Sequence, residues 1–248
     1  MRATALEFRL RVAIIALVIA IGFWAPWIQA WDMGRRVSLL EWIALELSRT
    51  RLVPFAVSTV AVIVLATLIA GLGALLRVWG TACMGVGVVQ HAEMRAGAVV
   101  ADGPYRLVRN PLYIGTWCMV AALAFAMPPT GALFTMVLLT VFLLRLILGE
   151  EAFLAGQLGE TYTAYKQRVP RLYPRLRGAL PASGRTAHWG RAVLAEMGAI
   201  GVFVIFAALS WRYDNHLMLR AILINFGVSL VLRAFTFGGD DRKSAAAA

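Results

Sequence analysis

Charge is what this chain has least of. Only 15% of its 248 residues are Asp, Glu, Lys or Arg, while 60% are hydrophobic, against about 25% charged in soluble domains. Its apolar runs are long enough to cross a hydrocarbon core of roughly 30 Å. Together these exclude a soluble globular chain and predict an all-α, polytopic integral-membrane bundle. Acids are scarcer than bases, 13 against 24, and lysine is nearly missing, since every base except Lys166 and Lys243 is Arg. The bases flank apolar runs, as charge facing an anionic leaflet does, and no nucleic-acid surface is expected. The two cysteines, Cys83 and Cys118, lack a CxxC spacing and read as small buried hydrophobes. His91, His188 and His216 are too far apart in the chain to suggest a metal cluster. There is no long-period repeat and no strand, Gly-rich turn and helix of the dinucleotide-binding kind. Gly71-x-Gly73 and Gly85-x-Gly87 stand alone beside apolar runs, where close helix packing accounts better for Gly71 and Gly73.

What is there is six apolar segments, at about 12–31, 54–76, 111–127, 131–148, 193–211 and 217–235. The first follows Arg2, Arg9 and Arg11 as a signal peptide would, but it is longer than a usual signal core and ends in Trp24, Trp27 and Trp31. A retained helix with an interfacial tryptophan belt is expected. Ser38 and Glu41 have capping-box spacing and predict a short helix starting at Leu39. Pro54 opens the second segment and Arg77 is expected to close it. Only Pro128-Pro129-Thr130 separates the third and fourth segments, so these must form a tight antiparallel hairpin. With the N-terminus inside, the inside segments carry 16 bases and the outside segments 5. Both polar stretches that flank the hairpin are therefore expected on the cytoplasmic face, with both termini, in a bacterial inner membrane. The chain divides into N-terminal helices (1–76), a core (77–180) and a C-terminal helix pair with its tail (181–248).

The first of these stretches, 102–115, is dense with shape-defining residues. Asp102-Gly103-Pro104 is a turn. Pro111 pushes Asn110 out of helical conformation and takes the first helical position itself, leaving Asn110 to cap the helix. The helix start would then offer N–H groups and partial positive charge, with Arg106 and Arg109 beside it, which suits a carboxylate or phosphate. The second stretch opens on Glu150-Glu151 at a helix C-terminus. Two adjacent acids there oppose the helix dipole, so a cation must compensate, either Arg145, Arg106 or Arg109, or a ligand. Glu151, Leu154, Leu158, Tyr162 and Tyr165 share one face of a continuing helix, and Val169-Pro170-Arg171 stops it.

Read together, "GPYRLVRNPLYIG" (103–115) and "EEAFLAGQLGETYTAYKQRVPRLYP" (150–174) resemble the isoprenylcysteine carboxyl methyltransferase and phospholipid methyltransferase superfamily, over roughly residues 77–175. The resemblance implies a multi-span enzyme that takes a methyl group from S-adenosylmethionine and gives it to a lipophilic small molecule or lipid, such as a prenylcysteine carboxylate. It implies that His91, Gly103, Pro104, Tyr105, Arg106, Arg109, Asn110, Pro111, Tyr113, Gly115, Glu150, Glu151, Tyr162, Tyr165 and Arg171 surround the cofactor, with Arg109, Glu150 and Glu151 closest to the chemistry. The family usually reads Arg-His-Pro where this chain reads Arg109-Asn110-Pro111. Asn carries no titratable proton, so a binding role survives there and an acid–base role does not. A second departure is Leu158-Gly159 in place of Phe-Gly. Membrane sterol-type reductases, which use a nicotinamide cofactor, are similar in the same region, and a non-catalytic scaffold on the same fold is the other rival. The acceptor and the oligomeric state are not legible in the sequence.

Overall fold

The computed structural model describes residues 2–24, 37–85, 101–175, 180–181, 186–212 and 214–245, with side chains up to Leu232. Among the described residues the chain is all helix: α1 (Ala5–Arg9), α2 (Arg11–Trp24), α3 (Leu39–Arg49), α4 (Phe55–Met84), α5 (Pro111–Ala124), α6 (Pro129–Arg168), α7 (Trp189–Ala195), α8 (Met197–Leu209) and α9 (Asn215–Ala245). Single 3-10 turns lie at Gly103–Arg106 and Ser210–Arg212. Two helices, α4 and α6, are each long and apolar enough to cross a membrane, and the bent pair α7–α8 reaches that length if taken as one span. The apolar helices α2 and α5 have 14 residues each, or about 21 Å at 1.5 Å per residue, short of a 30 Å core. A helix lies in each of the six expected segments, then, and among the described residues two of them, or three with the bent pair taken as one span, are long and apolar enough to cross. Trp27 and Trp31, at the end of the first segment, lie outside the described residues.

Local chemistry explains the boundaries. Ser38 accepts from the Glu41 backbone while the Glu41 carboxylate accepts from Ser38 N at 2.8 Å, the expected capping box. A second box, Thr4 with Glu7, starts α1. The α4 helix runs past its expected end at Arg77 for two more turns and stops at Gly85, whose φ of 93° suits glycine. Arg77 need not lie at an interface, because Glu196 neutralises it inside the bundle at 2.6 Å. The α6 helix continues through the second motif stretch as one 40-residue element, interrupted at Gly159 (φ 55°, ψ −129°), and ends at Arg168 as Val169-Pro170 dictates.

The α4 helix is central. Its Val62, Ile63, Ala66 and Ala70 pack with Ala122 and Leu123 of α5 and with Val202 and Phe206 of α8. Leu40 and Ala44 of α3 cap this cluster at one end. The glycines work by close approach. A Cβ on Gly73 would lie 2.9 Å from Met119 N and 3.0 Å from Gly115 O, and one on Gly71 would lie 3.1 Å from the Phe203 ring. Helix packing is thus the role of both glycines. The hairpin α5–α6 turns through residues 125–128, where Leu39 N and Leu40 N donate to the carbonyls of Met127 and Phe125. At the other end of the hairpin, Ala3 N donates to Arg145 O, and Arg145 holds Glu7 at 2.8 and 2.9 Å.

Candidate active site

The two motif stretches fold into one cluster, and Glu151 is its centre. Glu151 is 3% exposed. Arg109 reaches its Oε1 through Nε at 3.1 Å and Nη2 at 3.0 Å. Arg171 reaches Oε2 through Nη2 at 2.8 Å and Nε at 3.2 Å. Asn110 Nδ2 adds a donor at 3.3 Å. A carboxylate between two guanidinium groups and an amide is fully compensated, which lets it stay ionised though buried. The pairing also pushes the Arg171 guanidinium up from its ordinary value, through its hydrogen bond to Glu151.

The backbone ties the same residues together. Arg109 Nη1 donates to the carbonyls of Lys166 at 2.7 Å and Val169 at 2.9 Å, capping the end of α6. Arg109 N donates to Pro170 O, and Arg175 N donates to Leu107 O, both at 2.9 Å. Asn110 Nδ2 also donates to Arg171 O at 3.2 Å. Tyr165 donates to the Tyr105 carbonyl at 2.8 Å and its ring lies 5.9 Å from that of Tyr162. Tyr165 is thus a buried link between the two stretches with Tyr162 packed beside it, and the expected shared face of Glu151, Leu154, Leu158, Tyr162 and Tyr165 turns inward.

Two expectations are corrected and a third is narrowed. Asn110 does occupy the position before Pro111, but its side chain makes no cap hydrogen bond to α5. It turns instead toward Glu151, because a buried carboxylate is the stronger acceptor. Arg109 is not an open anion site, since each of its three side-chain nitrogens is engaged by Glu151 or the end of α6. Among the cations considered for the Glu pair, only Arg109 serves: Arg145 pairs with Glu7, and Arg106 Nε donates to Leu180 O.

Glu150 is placed differently from its neighbour. It is half-buried and accepts from the Tyr113 hydroxyl at 2.8 Å, with no ion pair of its own within 4 Å among the described residues. Tyr105 is 4% exposed, with its hydroxyl 3.6 Å from Met84 Sδ, and burial pushes that hydroxyl well above its ordinary value. Gly103 takes φ 52° with Cys83 and Trp79 against it, and Pro104 is buried in the same turn. Pro111 starts α5 and Gly115 faces α4. His91 lies outside the described residues. No group of three or more His, Cys, Asp or Glu suited to a metal occurs among the described residues. Sequence reasoning missed the Arg77–Glu196 pair, whose members are 119 residues apart.

The molecule is a helical membrane protein in which a loop before one helix and the far end of its hairpin partner close into a single charged cluster. Residues 61–161 match the family model for phospholipid methyltransferases, which lies in the superfamily of membrane methyltransferases that includes the isoprenylcysteine carboxyl methyltransferases. No curated protein and no solved structure matches the chain.

Proposed function

We propose that the protein transfers a methyl group from S-adenosylmethionine to a lipophilic acceptor, a prenylcysteine-type carboxylate or a lipid, at the cytoplasmic membrane interface. The observation that carries this reading is the cluster around Glu151 standing next to Glu150. Two guanidinium groups face one carboxylate there, so a positive charge is left over beside the uncapped, dipole-positive start of α5. One residue away, Glu150 accepts from the Tyr113 hydroxyl and has Arg11 as a more distant cation, with no ion pair within 4 Å among the described residues.

That donor set fits the cofactor, whose amino acid end carries both signs of charge. Arg171, partly exposed and reaching Glu151 from the loop after α6, would hold its carboxylate together with the α5 N-terminus. Glu150 would hold its ammonium, and Tyr113 is placed to face a cation. When bound, the cofactor supplies an electrophilic methyl group on a sulfonium. What the chain supplies is positioning and exclusion of water, which carry most of the rate in an in-line displacement. A carboxylate or thiolate acceptor needs no base, whereas for an amine Glu150, with Tyr113 beside it, would take the proton.

Calorimetry on the detergent-solubilised protein tests the reading. S-adenosylmethionine should bind with an affinity on the order of micromolar, and labelled methyl should then pass to a component of a membrane extract. NADPH binding without any S-adenosylmethionine signal would replace this reading with a reductase.

A further inference from the structure

Glu196 is the most deeply buried charge among the described residues, at 1% exposed, and the proposed chemistry gives it no part. It stands at the break between α7 and α8, where the path bends by 70°. A carboxylate inside a membrane bundle is costly and persists where it is paired or serves a function. Arg77 donates to its two oxygens at 2.6 and 3.0 Å, and the Thr81 hydroxyl adds a third bond at 2.8 Å. Two of the Arg77 nitrogens are used there. Its Nη1 crosses to α5 and meets Thr116 Oγ1 at 2.6 Å, and the Thr116 hydroxyl donates to Leu112 O at 2.9 Å. A polar chain thus runs from the α7–α8 break through α4 to the first turn of α5, the turn that carries Tyr113.

The α5 helix has little freedom beyond this. A Cβ on Gly115 would lie 2.7 Å from Arg77 Cγ and 3.0 Å from Gly73 O, so α4 and Arg77 fill that side. Toward α6, Trp117 donates to Thr140 at 3.0 Å and Tyr113 to Glu150 at 2.8 Å. We propose that Glu196 is a positioning residue: acting through Arg77 and Thr116, it sets the rotation of α5 and so holds the Tyr113 hydroxyl at Glu150. The C-terminal helices, outside the matched segment 61–161, thereby deliver a charge that the motif core depends on. The catalytic part of this inference rests on the function proposed above, whereas its geometric part does not.

Two measurements on the full-length protein in lipid nanodiscs test it. With fluorotyrosine placed at position 113, the fluorine resonance should shift in both Glu196→Gln and Thr116→Val. Thr116→Val leaves the Arg77–Glu196 pair in place and serves if the first variant folds poorly. Glu46→Gln, which breaks only the exposed Glu46–Arg49 pair, should leave the resonance where it is. A resonance unmoved by both test variants would overturn the proposal. In turnover, Glu196→Gln should lower kcat about tenfold while the KM for S-adenosylmethionine stays within about twofold. In a Tyr113→Phe background the same change should have no further effect. An equal loss in both backgrounds would make Glu196 merely structural and overturn the claim. Absence of any methyl transfer by the wild type would sink the proposed function, and the fluorine measurement would still decide the positioning.

Discussion

Glu150 and Glu151 are adjacent in the chain and have opposite neighbourhoods, so their amide variants should separate stability from binding. Removing the charge of Glu151 leaves Arg109 and Arg171 facing an amide in a site where the acid is only 4% exposed at its side chain. Breaking a buried pair costs about 3–5 kcal/mol. We expect Glu151→Gln to lower the melting temperature and to loosen the Val169–Arg171 strap, seen as faster proteolysis there. Glu150→Gln removes no ion pair and should leave melting nearly unchanged. It should instead weaken S-adenosylmethionine by about 1.5–3 kcal/mol, roughly ten- to a hundred-fold in the dissociation constant measured by calorimetry. The opposite assignment, with Glu151 controlling affinity and Glu150 stability, would overturn the site as drawn. Arg109→Lys should resemble Glu151→Gln in melting, because one ammonium cannot serve a carboxylate and two carbonyls at once.

At the scale of the helices, the α4–α5 crossing depends on two glycines in mutual contact. A Cβ on either would meet backbone of the other helix at about 3.0 Å, and backbone cannot step aside as a flexible side chain can. Gly73→Val or Gly115→Val should therefore separate α4 from α5 and lower the melting temperature, by an amount typical of overpacking, about 1–3 kcal/mol or more. Gly156→Ala, with nothing within 4 Å of the added carbon, is the neutral control. An unchanged melt for Gly115→Val would mean that the helices do not cross there. These elements also show what the sequence could convey. The Ser38–Glu41 box, the stop at Val169-Pro170 and the start at Pro111 were legible because each is a local pattern of a few residues. The end of α4 was not. An arginine after an apolar run reads as an interface, and its neutralisation by Glu196 is visible only once the chain has folded. The side chain of Asn110 was misjudged for the same reason. A cap is the local choice, and a buried carboxylate brought in from position 151 outcompeted it. The motif pairing of Glu151 with Arg109 and Arg171 was only half legible. The need for a cation was clear from the helix dipole, and its identity came from packing.

For the whole molecule, the contacts divide the chain into two ends without reference to a membrane. The N-terminal strap sits with the motif cluster, through Ala3 N on Arg145 O and Glu7 on Arg145. The α3 helix sits at the opposite end, through Leu39 and Leu40 on the 125–128 turn. The strap contact predicts a pH dependence. Hydrogen bonds from the Thr4 backbone and from Arg145 hold the Glu7 carboxyl down to about 2, from an ordinary 4.5. A lowered folded-state value means that its stabilisation is fully present above 4.5 and disappears as pH falls through about 2. The melting difference between wild type and Glu7→Gln should thus be constant above pH 5 and close on acidification toward pH 2. A difference that grew on acidification would contradict the pairing.

The same two ends make sidedness testable with few probes. From the 16-to-5 distribution of bases, the expected orientation has the motif end toward the cytoplasm, where a soluble cofactor is available, and the α3 end outside. Thr163 is exposed on the motif end of α6, and Leu52, at 85% exposed, follows α3 at the other end. Single cysteines at these positions, in a chain with Cys83 and Cys118 replaced, should label oppositely in intact cells. A membrane-impermeant maleimide added from outside should reach position 52 and should reach position 163 only after the cells are opened. Labelling at 163 from outside would invert the orientation and separate the cluster from a cytosolic cofactor. Labelling of both from outside would remove the membrane between the two ends of α6, and with it the reading of that helix as a span. The expected pattern puts Glu150, Tyr113 and the Glu151 cluster where a water-soluble cofactor and a lipid-borne acceptor can approach from two sides, the arrangement that transfer between two phases requires.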